Sequence, residues 1–494
     1  MKTLLISPPL YIPTDFHSRK KLVRIVKSES APSLGIFYLA GMLEKQELDV
    51  NVIDMFDMSF EDTEVIIRKE KPDIVGITSL TDTRFSALTV AKLIKKIDRK
   101  IITVLGGSHP TFFPEQMLRH YPEIDYIVLG EGEYTFLELV KAIYEKKGVR
   151  NISGIAFREN DSTVITSPRE RVKNLDEIPF PAHHFIQWER YTPSGVDLQD
   201  WKTNNRKYGA ISTSRGCPYN CTYCSVIAFW GRQYRCRTPQ NVVNEIEILY
   251  KQFGVDLIGF NDDIFTLRMD RVIEICKEIV KRKIKIQWTC ATRVNFVSKE
   301  MLIWMKRSGC SGIYFGVESG SEKILKNIRK NTSIEQILNA FKLCKEVDIP
   351  TGMGIMIGNP GENNETVRET IRLMDKINPV GGPGLNILMV YPNTEVYELA
   401  KKKGFIDDNY WLTNKAAPFY TAENPLWVLE NFQLKIYLSY YWKKRDFFQI
   451  ILKLFERFTV TDNLLDLLFR IKNLLKIKSF GIYKLLKFTK KNGS

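Results

Sequence analysis

Short apolar runs of strand length alternate with amphipathic helical patterns twice along this 494-residue chain, and no other feature restricts its fold as strongly. The first series predicts strands at 3–7, 50–53, 74–78, 101–105 and 126–129, with helices at 34–45, 61–69, 84–97, 114–120 and 134–146. Five β-α units of this length predict a doubly wound, Rossmann-like parallel sheet over 1–148, with helices on both faces. The second series begins after Tyr208. It predicts strands at 209–213, 257–261, 286–291, 312–317, 351–357 and 385–389, separated by helices such as 241–252, 269–281, 299–308, 334–347 and 364–376. A further α/β domain is therefore expected over 208–404. Between the two, 149–207 reads as a linker. It holds a small hairpin turned at Asn160-Asp161 and a connector kept extended by Pro179 and Pro181. The adjacent His183 and His184 read as linker or interface residues. Over 405–494, and above all from Phe432 onward, the pattern is helical, aromatic and basic.

Near the first strand of the second series stands Ser214-Arg-Gly-Cys217-Pro-Tyr-Asn-Cys221-Thr-Tyr223-Cys224. The chain has eight cysteines, none before Cys217, and outside this stretch none are paired at metal-ligand spacing. Thiolates are soft ligands that suit zinc or iron–sulfur clusters. Three of them can hold three irons of a [4Fe–4S] cluster and leave the fourth iron open. Zinc would want a fourth Cys or His, for which Cys236 is the nearby candidate. The remaining cysteines read as small buried hydrophobes, and no disulfide framework is expected.

This stretch resembles the signature of the radical S-adenosylmethionine (SAM) superfamily: three cysteines at this spacing, Gly216 ahead of them, and the aromatic Tyr223 before the last. The resemblance implies a partial (β/α)6 TIM-like barrel over 208–404, with the cluster on Cys217, Cys221 and Cys224 at the carboxyl edge where barrel active sites lie. It implies that the open iron chelates SAM, and that one electron cleaves the sulfonium to give a 5′-deoxyadenosyl radical. Other strand ends resemble family segments that meet SAM. Gly316-Val-Glu318-Ser319-Gly320-Ser321 brings polar groups, with Glu318 toward the ribose or amino group. Gly358, in Gly354-x3-Gly358-Asn-Pro360-Gly361-Glu362, would let the backbone touch the adenine. Asp262 and Tyr223 join this cofactor set, and Arg293 would pair with the SAM carboxylate through its planar fork. Each carboxylate can instead act as a cap or ion-pair partner, and each glycine as a tight turn. Arg235 and Arg237 are read equally as braces of the cluster loop or as ligand contacts. Val390-Tyr391-Pro392-Asn393-Thr394 resembles a P-G-T signature with Asn393 in place of glycine.

The loops at the carboxyl ends of the first series are polar and glycine-rich, and ligands of such sheets bind there. In detail they resemble the cobalamin-binding domain found ahead of many radical SAM domains. The matching stretches are Pro8-Pro9, Ala31-Pro32-Ser33-Leu34-Gly35, Gly106-Gly107-Ser108-His109-Pro110-Thr111 and Gly130-Glu131-Gly132-Glu133. The resemblance implies cobalamin contacts at Ser79, Gly106, Gly107, His109, Gly130, Glu131 and Gly132, with His109 meeting the cobalamin tail. Many cobalamin domains carry D-x-H-x-x-G, whose His binds cobalt. None of the five histidines here sits in that motif, and the corresponding loop reads Asp54-Met-Phe-Asp57-Met. The domain also resembles that of the tRNA methylthiotransferases, but it lacks the three cysteines their second cluster needs.

Over 1–404 the chain thus resembles cobalamin-dependent radical SAM enzymes. The implied activity is methyl transfer to an unactivated carbon. One SAM remethylates the corrin, a second yields the radical that takes a substrate hydrogen, and the substrate radical then takes the methyl. The alternative within enzymes is a radical cyclase or oxidase that transfers no methyl. A non-catalytic cobalamin or SAM sensor is a different class, and the intact cysteine motif argues against it because a sensor has no use for an open iron. A small-molecule or lipid-like substrate and an external electron donor of the flavodoxin or ferredoxin type are the expected partners. No apolar run approaches the roughly 18 residues of a membrane span, and the N-terminal run reads as a strand and not a signal peptide, so a cytoplasmic location is expected. The net charge is +15, and residues 431–494 hold fourteen Lys or Arg against four Asp or Glu, a surplus of ten. Such a segment can make peripheral contact with the inner face of a membrane through 432–491, or it can cap the barrel with its apolar face. Nucleic acid is not an expected partner, since nucleic-acid modules show a motif beyond charge alone.

Overall fold

The computed structural model describes residues 1–9, 11–12, 23–24, 31–56, 58–160, 162–191, 207–379 and 382–458. In the first sheet, β1 (Thr3–Ser7), β2 (Val50–Asp54), β3 (Ile74–Thr78), β4 (Ile102–Gly106) and β5 (Tyr126–Val128) run parallel in the order β2-β1-β3-β4-β5. β1 is buried at every position, as a central strand must be when helices cover both faces. Helix Leu34–Glu44 packs beside Gly132–Tyr144, while Phe60–Glu70 packs beside Arg84–Ile97. The latter pair closes a core of Leu4, Ile6, Ile67, Val75, Ile77, Ala87 and Ile94. Strand order reverses between β1 and β3, and this switch point opens a crevice at the carboxyl ends.

The hairpin expected in the linker completes this sheet. β6 (Ile155–Glu159) runs antiparallel to β5, and β7 (Ser162–Ile165) pairs with β6. β5 would otherwise expose an edge of unpaired N–H and C=O groups. Asn160 turns the hairpin with φ +46°, a conformation asparagine tolerates.

The second sheet contains β8 (Tyr208–Ile211), β9 (Leu257–Phe260), β10 (Gln287–Thr292), β11 (Cys310–Glu318), β12 (Thr351–Ile357) and β13 (Pro383–Ile387), all parallel and in sequence order. β8 and β13 remain as its two edges, so the six β-α units form an open barrel. Local signals set its helices. Ser333 and Gln336 form a capping box before Ile334–Glu346, Asn363 and Thr366 another before Asn364–Ile377, and left-handed Gly254 ends Pro239–Phe253. Past β13 the chain doubles back along that edge, where Val390 N donates to Pro418 O and Tyr420 N to Leu388 O, both at 2.8 Å.

Both sheets and the described residues up to Gln433 form one compact unit, and those from Leu434 onward belong to a second. Within the first unit, Gln433 of helix Leu426–Lys444 donates to Leu385 O at 3.0 Å. Of the basic helical stretch expected over 432–491, the part beyond residue 458 lies outside the described residues. Among the described residues no helix is long and apolar enough to cross a membrane.

Candidate active site

The cysteine loop is held from three sides. Asp262, just past β9, is buried and accepts from Thr213 N at 2.9 Å, Thr213 Oγ1 at 2.9 Å and Ser214 Oγ at 2.6 Å. Ser214-Arg215 then pairs antiparallel with Arg235-Cys236, closing the loop into a short ribbon. Gly216 sits inside that closure with φ +89°, and a Cβ there would collide with Gln233 O. Only glycine meets both demands. Cys217, Cys221 and Cys224 are all partly buried. Burial pushes the Cys224 thiol up to about 12, and the neighbouring Cys221 and Cys217 add to the effect. Among the described residues no three His, Cys, Asp or Glu side chains converge on one point as ligands of a single ion. A cubane does not require such convergence, because each thiolate binds a different iron.

Several residues expected from the sequence to meet SAM also brace the loop. Asp262 is fully engaged as described above. Arg293 donates to Lys330 O and to Thr332 Oγ1, stacks 3.8 Å over the Tyr219 ring, and brings Nη1 to 3.6 Å from Cys221 Sγ. Both of those hydrogen bonds leave from Nη2 and Nε is buried without a partner, so protein groups hold only part of the fork beside the cluster loop. Glu318 stands at a bulge of β11 with φ +68° and pairs with Lys330 Nζ at 2.7 Å. Lys330 Nζ also lies 3.4 Å from Tyr223 OH. Gly316 leaves room for this pair, since a Cβ there would come within 2.8 Å of Glu318 Oε1. Ser319 Oγ accepts from Ser321 N at 3.2 Å and shapes its own loop. Gly358 has φ +89°, and its N–H reaches Glu362 Oε2 at 2.7 Å while Leu429 covers its open side. Gly358 thus stands in a turn closed on Glu362. Burial pushes Glu362 up to about 7, against the hydrogen bonds from Gly358 and Asn359.

At the carboxyl edge of the first sheet a cavity of about 370 Å³ reaches down between the strands. Leu5, Gly76, Val104, Val128 and Phe136 form an apolar slot, and Gly106, Gly107, Gly130 and Gly132 form much of its rim. Gly107 has φ +103°, and a Cβ would lie 2.6 Å from Ser79 O; Gly130 has φ +68° and open space where a Cβ would stand. Ser79 and His109 lie off this wall. Ser79 Oγ and His109 Nδ1 are buried without a partner. Burial, helped by Arg84, lowers the His109 imidazole to about 3, and its ring packs near Phe113 and Trp411. His109 thus stands as a neutral ring behind the wall. Glu131 lines the cavity, but its carboxylate binds Arg235 and accepts from Val172 N at 3.1 Å. Arg215 joins the same buried group through Glu133 and lies 4.9 Å over the Trp230 ring. Arg237 pairs with Glu245, which His183 approaches at 2.9 Å. Arg215 and Arg235 brace the two domains, while the Arg237–Glu245 pair lies within the second.

A second cavity of about 750 Å³ opens in the barrel mouth between the cysteine loop, β12, β13 and the start of helix Leu426–Lys444. Tyr223 and Cys224 line it with Met356, Met389 and Tyr391. Ser225 lines both cavities. Tyr391 donates to Asp82 Oδ2 at 2.9 Å, joining the barrel mouth to the loop after β3. Sequence reasoning missed Ser225, Lys330, Asp82 and Arg84. Lys330 sits in a plain polar loop, Ser225 is marked only by the cavities it lines, and Asp82 and Arg84 meet partners more than 300 positions away, so no local pattern marks them.

Two family models match the chain, the B12 binding domain at residues 20–140 and the Radical SAM superfamily at 211–374. An uncharacterized methyltransferase of Pyrococcus horikoshii is 35% identical over 451 residues, which cover 89% of this chain and 92% of that protein. The chain belongs to the family of radical SAM enzymes that carry a B12-binding domain. Membership sets aside the zinc and sensor readings of the cysteine stretch. Another relative in this family, the anaerobic magnesium-protoporphyrin IX monomethyl ester cyclase of Rubrivivax gelatinosus, is 34% identical over 70% of this chain and 62% of its own length. The fold is shared with the radical SAM methyltransferase TsrM of Kitasatospora setae, solved with cobalamin and a [4Fe–4S] cluster bound (TM-score 0.66, 21% identity, covering 82% of this chain and 76% of that one).

Proposed function

We propose that this chain is a cobalamin-dependent radical SAM methyltransferase that acts on an unactivated carbon through a 5′-deoxyadenosyl radical. The observation that carries the reading is the shared wall at Ser225. The residue after the last motif cysteine borders both the slot of the first sheet and the barrel mouth, so groups held in the two cavities would face one another across it. The residues fit the groups. Three partly buried thiolates stand on one braced loop, and a glycine-rimmed apolar slot suits the organic tail of a corrin. When bound, the cluster would supply the electron for SAM cleavage and the corrin the methyl group.

The chain's own residues hold, orient and shield. Cys217, Cys221 and Cys224 offer the ligands, while Asp262 and Arg293 keep their loop in register. The Lys330–Glu318 pair beside Tyr223 presents both signs of charge next to the cluster loop, matching the amino and carboxylate groups of SAM. Val226, Phe229 and Trp230 wall the first cavity with apolar surface and exclude water from it. Hydrogen-atom abstraction needs no general base, and none of these roles requires one. A one-electron donor of the flavodoxin or ferredoxin type is the partner this chemistry calls for.

The test is anaerobic reconstitution of the full chain with cobalamin, SAM bearing a trideuterated methyl, and candidate substrates. A product heavier by one labelled methyl supports transfer. A product that loses hydrogen and gains no methyl supports the cyclase reading, which the 34% identical relative favours as the second choice. Cys221→Ala is expected to abolish 5′-deoxyadenosine formation, and persistence of that product would remove the cluster assignment.

A further inference from the structure

Between Trp442 and Leu452, within the second compact unit, the described chain makes a corner with an unusual surface. Helix Leu426–Lys444 ends, Arg445 turns with φ +57°, and helix Phe447–Phe458 begins. Trp442, Phe447, Phe448 and Leu452 are exposed there, Phe448 at 71%. The Trp442 and Phe447 rings meet edge to face at 5.8 Å, so the apolar groups form one patch. Lys443, Lys444 and Arg445 are exposed within the same corner. Its acid, Asp446, caps the second helix by accepting from Gln449 N at 3.0 Å.

We propose that this corner docks on an anionic lipid bilayer surface. Large exposed aromatic patches mark interaction sites, and Trp and Phe flanked by Lys and Arg match the boundary between headgroups and acyl chains. Charge selects this occupant. Residues 431–494 carry ten of the fifteen net positive charges, and a negative leaflet attracts a polybasic segment next to an apolar face. By sequence, residues 447–458 repeat apolar residues at helical spacing, at 447, 448, 451, 452, 454, 455 and 458, as an amphipathic helix requires. Twelve residues are too few to span a bilayer, so the helix would lie in the plane of the surface. The corner lies apart from the cofactor cavities in sequence, and the proposal stands independently of the reaction.

The test is flotation of the full-length protein with phosphatidylcholine vesicles, with and without roughly one-third phosphatidylglycerol. The protein should float only with the anionic vesicles, and about 0.5 M salt should weaken the association by screening. Phe447→Ser with Phe448→Ser removes exposed side chains, so the fold should survive, as an unchanged thermal melt would verify. This variant should bind about tenfold more weakly or worse. Lys443→Glu with Lys444→Glu should do the same at low salt. No flotation with anionic vesicles, equal flotation of the phenylalanine variant, or affinity for RNA or duplex DNA without affinity for vesicles would each overturn the proposal.

Discussion

Asp262 shows how a residue on the expected list can matter for a different reason. Its carboxylate accepts from three groups at the start of the cysteine loop, and removing it would leave a buried backbone N–H unsatisfied. Asp262→Ala should cost about 2–4 kcal/mol of stability and lower the iron and sulfide recovered after reconstitution, read by denaturation and metal analysis. Glu362 makes a prediction with a defined sign. Burial raises its folded-state value to about 7 from the ordinary 4.5, so the folded chain binds this proton more tightly than the unfolded chain does. The stabilisation is fully present below about pH 4.5, declines as pH rises, and is gone above about 7. Glu362→Gln cannot ionise. Relative to that variant, the native protein should lose on the order of 2–3 kcal/mol between pH 4.5 and 8, measured as the difference in unfolding free energy at each pH.

The elements follow local rules closely, and the turns at Asn393, Gly216 and Gly107 show where those rules bind hardest. The strand beginning at Thr351 and the helices beginning at Arg84 and Met269 fall on their expected bounds because their periodicity is strong. Asn393, which replaces a glycine of the family signature, takes φ +57°, so the turn before helix Glu395–Lys402 survives the substitution. Gly216 and Gly107 allow no such exchange. At each, a positive φ coincides with backbone packed where a Cβ would go. Gly216→Ala should prevent the ribbon from closing and should abolish iron–sulfur incorporation while leaving the barrel's circular dichroism in place. Gly107→Ala should displace Ser79 and weaken cobalamin binding, followed by corrin absorbance after gel filtration.

In the first compact unit, long-range polar contacts join the two α/β domains. Arg215 and Arg235 from the cysteine ribbon meet Glu133 and Glu131 from the first sheet in a buried group. Arg84 from the first domain donates to the carbonyls of Trp411, Thr413 and Lys415 beyond the barrel. Glu131→Ala would leave buried Arg235 a hydrogen bond to Val172 O and only the Glu133 carboxylate, already paired with Arg215, as counter-charge, which should cost about 3–5 kcal/mol. The loss should appear in chemical denaturation and should also lower cobalamin affinity, because Glu131 lines that cavity.

The sequence by itself determined two α/β domains, their order, most element bounds and the three cysteines. Strand period, helix period, capping residues and ligand spacing all act over a few neighbouring positions. Tertiary structure decided which partners the polar residues of the site take. Arg293, Asp262 and Glu131 are expected ligand contacts in one dimension, and each also meets a partner between 37 and 104 positions away. Only the folded chain reveals those partners, because burying a charge demands a counter-group and sequence distance says nothing of where that group will stand.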